Sequence, residues 1–155
     1  MTKQERIIIF LLATLNFTHI LDFMITMPLG NYLMPFFKIN PQQFSMLVAS
    51  YTIAASISGF CAAFIIDGFD RKKVLRIAYA GFLAATMACG FAPSYTVLLI
   101  ARLVAGLFGG LIGAQVISII SDLFVYERRG RAMGAAMSAF AISLYHWNPT
   151  GLVFI

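Results

Sequence analysis

Residues 96–120 read TVLLIARLVAGLFGGLIGAQVISII, an apolar run that a single charge, Arg102, interrupts. At about 1.5 Å of rise per residue, a helix of this length exceeds the roughly 30 Å hydrocarbon core of a bilayer. A helix that is apolar on every side needs lipid or a large protein core around it. The run therefore predicts a membrane-spanning helix and sets the fold class: all-α, a polytopic transmembrane helix bundle. It also carries Gly106, Gly109, Gly110 and Gly113. Gly106/Gly110 and Gly109/Gly113 are interleaved GxxxG pairs, which let another helix backbone approach closely. A weaker version recurs at Ala55, Ser58, Gly59, Ala62 and Ala63.

Working outward, four more segments have the length and apolarity to span. The expected spans are 7–27, 43–66, 74–92, 96–120 and 132–155, the last incomplete or irregular, within a single membrane domain covering 1–155. Between the first two, 28–41 holds Pro28, Gly30 and Asn31 and reads as a loop. The apolar run after Lys3 and Arg6 is longer than the core of a signal peptide and is followed by no small-x-small cleavage pattern, so it is expected to be retained. Composition agrees: 61% of the 155 residues are hydrophobic and 11% charged, against about 25% charged in soluble domains. The mean hydropathy is +0.88. Cys61 and Cys89 lie in apolar stretches without CxxC spacing and read as packing residues.

The net charge of +5 sits in short segments between the apolar runs rather than in a stripe for a polyanion, so no nucleic-acid partner is expected. If the spans alternate, Lys3, Arg6, Arg71, Lys72, Lys73, Arg76, Arg128, Arg129 and Arg131 fall on one side, and Lys38 alone on the other. The positive-inside rule then predicts a multi-pass protein with a cytoplasmic N-terminus, and a bacterial inner membrane is its expected location. No glycine-rich phosphate loop, Ser-His-Asp set or metal-ligand cluster is present in the sequence, so neither enzyme chemistry, a cofactor nor a metal is expected.

Charges within a span cost at least about 2.5–3.5 kcal/mol each at the bilayer centre. Asp22 and Arg102 are the two. Counted from Pro28 and from Thr96, each lies about 9 Å below the same membrane face, so the two are expected to meet across a polar cavity. An intramembrane acid beside a cation is the element that a proton-coupled carrier needs; the rival reading is a static ion pair. His19 and Asn16 precede Asp22 by one and two steps of three, on the same helix face. That stripe predicts a surface turned to water or substrate.

Asp67-Gly-Phe-Asp70-Arg71-Lys72-Lys73 lies between the second and third spans. It resembles the G-x-x-x-D-R-x-G-R-R/K loop of the major facilitator superfamily, with Asp67 as the acid and Arg71 and Lys72 as the basic pair. Ala63, Gly68 and Asp70 depart from the pattern. Arg102-Leu-Val-Ala-Gly106 resembles the R-x-x-Q-G pattern of that family's proton antiporters, and Glu127-Arg-Arg-Gly-Arg-Ala132 resembles its loop after the fourth span. The resemblance covers about 7–141 and implies an incomplete N-terminal half of the family's fold. It further implies a secondary active, proton-coupled efflux transporter for a small molecule of the drug or sugar class. Asp67, Asp70, Arg71, Lys72, Asp122 and Arg128 would then belong to a cytoplasmic charge network that latches two halves.

Family members rock two six-helix halves about a substrate held between them. Four spans and part of a fifth are expected here, with His146, Trp147 and Asn148 where small apolar residues are usual in the family. The chain is therefore expected not to transport by itself, and its partners to be the lipid bilayer and a missing C-terminal half or another membrane chain. The alternative functions are a non-transporting interaction or assembly protein, packing through its glycine faces, and an inactive gene fragment. A lipid phosphotransferase reading of Asp67-Gly68 fails because no acids follow at the required spacing.

Overall fold

A computed structural model describes residues 3–65, 70–124, 129–130 and 133–134. They form four helices: α1 (Lys3–Phe37), α2 (Pro41–Ile65), α3 (Arg71–Gly90) and α4 (Tyr95–Leu123). Three stretches within them, Ile7–Phe37, Pro41–Ala62 and Tyr95–Leu123, are long and apolar enough to cross a membrane. The expected fifth span lies outside the described residues apart from Met133 and Gly134.

α1 is where the chain departs most from expectation. Pro28, Gly30 and Asn31 do not form a loop; α1 continues through Pro28 and Pro35 to Phe37. Each proline removes one i→i−4 hydrogen bond. Unwinding the backbone instead would strand many more N–H and C=O groups, which an apolar solvent cannot satisfy. The turn rules that favour a loop here assume water as the alternative partner. Gly30 has a packing role, since a Cβ there would lie 2.6 Å from Cζ of Phe44 in α2.

The true stop comes at Lys38, which adopts φ 52°, with Ile39 N–H donating to the Met34 carbonyl at 3.0 Å. This is the left-handed closure that satisfies a helix C-terminus. α2 then starts on a capping pattern: Asn40 N–H donates to Oε1 of Gln43 at 2.9 Å, and Pro41 occupies the first helical turn. Asp70 caps α3, accepting from the backbone N–H of Lys72 at 3.1 Å. Ser94 caps α4 through Val97.

α4 is the hub against which α2 and α3 pack most extensively, with α1 on its remaining side. Its buried face runs Leu98, Ala101, Arg102, Ala105, Gly106, Gly109, Ile112, Val116 and Ile120 at helical spacing. Because lipid is as apolar as a core, polarity does not mark this face; small side chains do. Gly106 lies against the Tyr51 backbone carbonyl, and Gly110 against the Ala55 carbonyl and Ser58, so α2 and α4 touch backbone to backbone one turn apart. Tyr95 Oη donates to the Gln43 carbonyl at 2.9 Å and ties the starts of these two helices together. Gly113 corrects the expectation of two working GxxxG pairs: a Cβ there meets nothing within 4 Å among the described residues. Outward-facing Phe10, Phe60, Phe64, Ile77 and Met87 are exposed, as a lipid-solvated surface requires. Cys61 shares that outer surface and is not the buried packing residue its apolar setting suggested.

Candidate functional site

Two polar clusters break this apolar bundle. The first lies inside it. Nη1 of Arg102 in α4 donates to Oδ2 of Asp22 in α1 at 2.9 Å, and the side chains are only 9% and 13% exposed. The equal-depth argument reaches this pair from a wrong premise. α1 runs fifteen residues beyond Asp22, about 22 Å, whereas Arg102 lies about 10 Å from the start of α4. At 35 residues, or about 52 Å, α1 is longer than the hydrocarbon core is thick. Thr26 supports the site one turn on, its hydroxyl donating to the Asp22 carbonyl at 2.9 Å.

His19 stands one turn from Asp22 on the side of the N-terminus. Its ring lies 6.2 Å from Tyr51 of α2 and 6.0 Å from Phe82 of α3, centroid to centroid. A Cβ on Gly109 of α4 would lie 2.6 Å from Cδ2 of His19 and 2.7 Å from Oη of Tyr51. All four helices therefore converge on His19, and the bare glycine makes room for both polar rings. Asn16 is buried one turn further along α1. The expected stripe Asn16–His19–Asp22 thus faces the bundle interior.

The second cluster lies at the end where α1 begins and α4 finishes. Arg71 Nε pairs with Asp122 Oδ2 at 2.9 Å, and the Arg71 guanidinium also donates to Ser118. These side chains are 29% and 53% exposed. Asp122 belongs to the last turn of α4 rather than to a following loop. Lys72 borders a cavity of about 560 Å³ that opens beside the cluster between α1, α3 and α4, walled by Leu12, Leu15, Leu75 and Ile119. Asp70 spends its carboxylate on capping α3. Asp67 and Arg128, the other expected members, lie outside the described residues.

An acid–arginine pair thus joins α1 to α4 inside the bundle, and an arginine–aspartate pair joins α3 to α4 at one end. The profile of the Major Facilitator Superfamily matches residues 12–145. The chain belongs to the major facilitator superfamily. Among curated relatives, the MFS-type transporter YceJ of Bacillus subtilis is 27% identical over 130 residues, 84% of this chain and 33% of the relative. YhcA, another MFS-type transporter of that organism, is 29% identical over 103 residues, 66% of this chain and 19% of the relative. Multidrug resistance protein 3, also of Bacillus subtilis, is 30% identical over 101 residues, 65% of this chain and 20% of the relative. The chain thus spans about a fifth to a third of the length of these relatives. No solved structure matches it.

Within this superfamily chain, the sequence singles out neither Tyr51 nor Gln115, and marks Arg129 only as one of the loop cations. Tyr51 looks like one more aromatic residue on an apolar helix; only packing puts its hydroxyl over Gly109. Gln115 is fully buried in α4, with neither amide atom hydrogen-bonded to a described residue. As a polar residue amid an apolar run it could have been found, but the search for intramembrane charge passed over it. Arg129 donates to the Phe124 carbonyl at 3.0 Å, closing the end of α4.

Proposed function

We propose that these helices belong to a secondary active, proton-coupled efflux carrier for a small molecule of the drug or sugar class, with the Asp22–Arg102 pair as its coupling centre. The buried pair carries this reading. Two ionised side chains taken out of water cost several kcal/mol even when paired, and helices held together by small-residue contacts do not need them for packing. A carboxylate that exchanges its arginine partner for a proton gives the pair a use. The name of Multidrug resistance protein 3 supports an efflux role.

Arg71 and Asp122 form part of a cytoplasmic latch in the same reading, with a cytoplasmic N-terminus in a bacterial inner membrane; the nine-to-one distribution of cations supports that orientation. The 155 residues by themselves do not transport, because alternating access requires a second bundle to rock against. Infrared spectroscopy of the chain in phosphatidylethanolamine/phosphatidylglycerol nanodiscs tests the centre. A protonated-carboxyl band that titrates with pH and vanishes in D22N is expected; no such band would overturn the coupling role. Proton-driven uptake by liposomes holding this chain alone would overturn the need for a second bundle.

A further inference from the structure

The mid-bundle site holds more polar atoms than the ion pair uses. Nδ1 of His19, Oη of Tyr51 and Nε of Arg102 are buried without a hydrogen-bond partner among the described residues. In a bilayer interior such atoms are costly, so their persistence calls for a use. Tyr51 is 4% exposed, which leaves no room for a bulky ligand at its hydroxyl. A proton needs none. His19 and Asp22 are three apart on one helix, at neighbouring positions with Cβ atoms about 5–6 Å apart. Tyr51 Oη and His19 Nε2 lie 2.7 and 2.9 Å from the same point, where a Gly109 Cβ would be. The two are thus near enough for a single water to bridge them.

We propose that His19 is the proton donor to Asp22, and that Tyr51 and Gly109 are positioning residues that hold its imidazole for the transfer. The proposal rests on the coupling role of Asp22. A proton arriving from the N-terminal side of the site, where Asn16 continues the polar stripe, adds to neutral His19 and gives an imidazolium. The imidazolium passes a proton to the Asp22 carboxylate, leaving a neutral imidazole and a neutral carboxyl, and the Arg102 guanidinium loses its charged partner. Among the described residues, the ionisable groups around the His19–Asp22 site are Tyr51 on α2, the Cys89 thiol on α3 and Arg102 on α4; towards His19 itself α3 presents Phe82, an apolar wall. Phe82 shields the imidazole from that side. Tyr51 holds the ring by packing, their centroids 6.2 Å apart, and through a water that can bridge its hydroxyl to the imidazole. Gly109 admits both rings, since a methyl group in its place would collide with each.

The experiment is a pH jump followed by time-resolved infrared on the 155-residue chain in the same nanodiscs, reading the Asp22 carboxyl band. In H19Q, which keeps hydrogen-bonding capacity but carries no proton, the band is expected to reach its normal amplitude at least about tenfold more slowly. Y51F and G109A are expected to slow it several-fold, also at unchanged amplitude. H19A supplemented with free imidazole is expected to regain speed, which a merely structural role for His19 does not predict. Normal amplitude with an unchanged rate in H19Q would overturn the donor role alone. An unchanged rate in both Y51F and G109A, with H19Q slow, would overturn the positioning roles. Absence of any Asp22 band in the wild-type chain would overturn the coupling reading and the relay with it.

Discussion

The two ion pairs of this bundle share a length, 2.9 Å, and differ in almost everything else. Asp22–Arg102 is walled in by four helices, whereas Arg71–Asp122 sits beside an open cavity with half of the Asp122 side chain exposed. Distance therefore says little about what each pair does. A buried pair has no water to turn to, so removing one side chain leaves a charge stranded. An exposed pair has water as its alternative and can open and close at little cost. That contrast suits the proposed coupling centre in the middle, which only a proton would open, and the proposed reversible latch at the end.

The largest expected effect tests the inner half of this contrast. D22A or R102A should each destabilise the bundle by about 3–5 kcal/mol, and the double variant by less than the sum of the two. Denaturant unfolding in detergent micelles measures all three; additivity would mean that the two side chains do not act as a pair. Next comes the packing that encloses the site. G110A pushes a methyl group into the α2 backbone and should cost about 1–3 kcal/mol, whereas G113A should be near neutral. Equal effects at the two glycines would break the assignment of one working contact pair.

At the outer end, D70A removes the α3 cap and should cost about 1 kcal/mol, read from the same unfolding curves. The smallest effect belongs to the exposed Arg71–Asp122 pair. D122N should change stability by no more than about 1 kcal/mol. High salt should shrink that difference towards zero while leaving the cost of D22A intact. A salt-insensitive D122N penalty, or a salt-sensitive D22A penalty, would erase the distinction between the two pairs.

How much of this was legible beforehand depended on the rule in use. Charge cost singled out Asp22 and Arg102 because a charge in an apolar run is costly wherever it lands. The same rule was blind to Tyr51 and Gln115, whose neutral polar groups matter only once burial is known. The loop at 28–41 failed because proline and glycine break helices when water can take over the backbone, and much of α1 has no such option. Both GxxxG pairs satisfied the sequence pattern, yet only Gly106 and Gly110 meet the α2 backbone, while Gly109 meets side chains and Gly113 nothing within 4 Å among the described residues. Helical phase alone does not choose between faces that are both apolar.

The sequence by itself determined the solvent, the helical class and the two intramembrane charges. Each is a matter of composition over about 20 residues, and lipid selects for composition strictly. Only the tertiary structure decided which glycines are contacts, that His19 and Tyr51 share the Gly109 niche, and that Arg71 meets Asp122. Those are relations between helices far apart in the chain. In a bundle whose lipid-facing and protein-facing sides are equally hydrophobic, steric fit rather than polarity orients each helix.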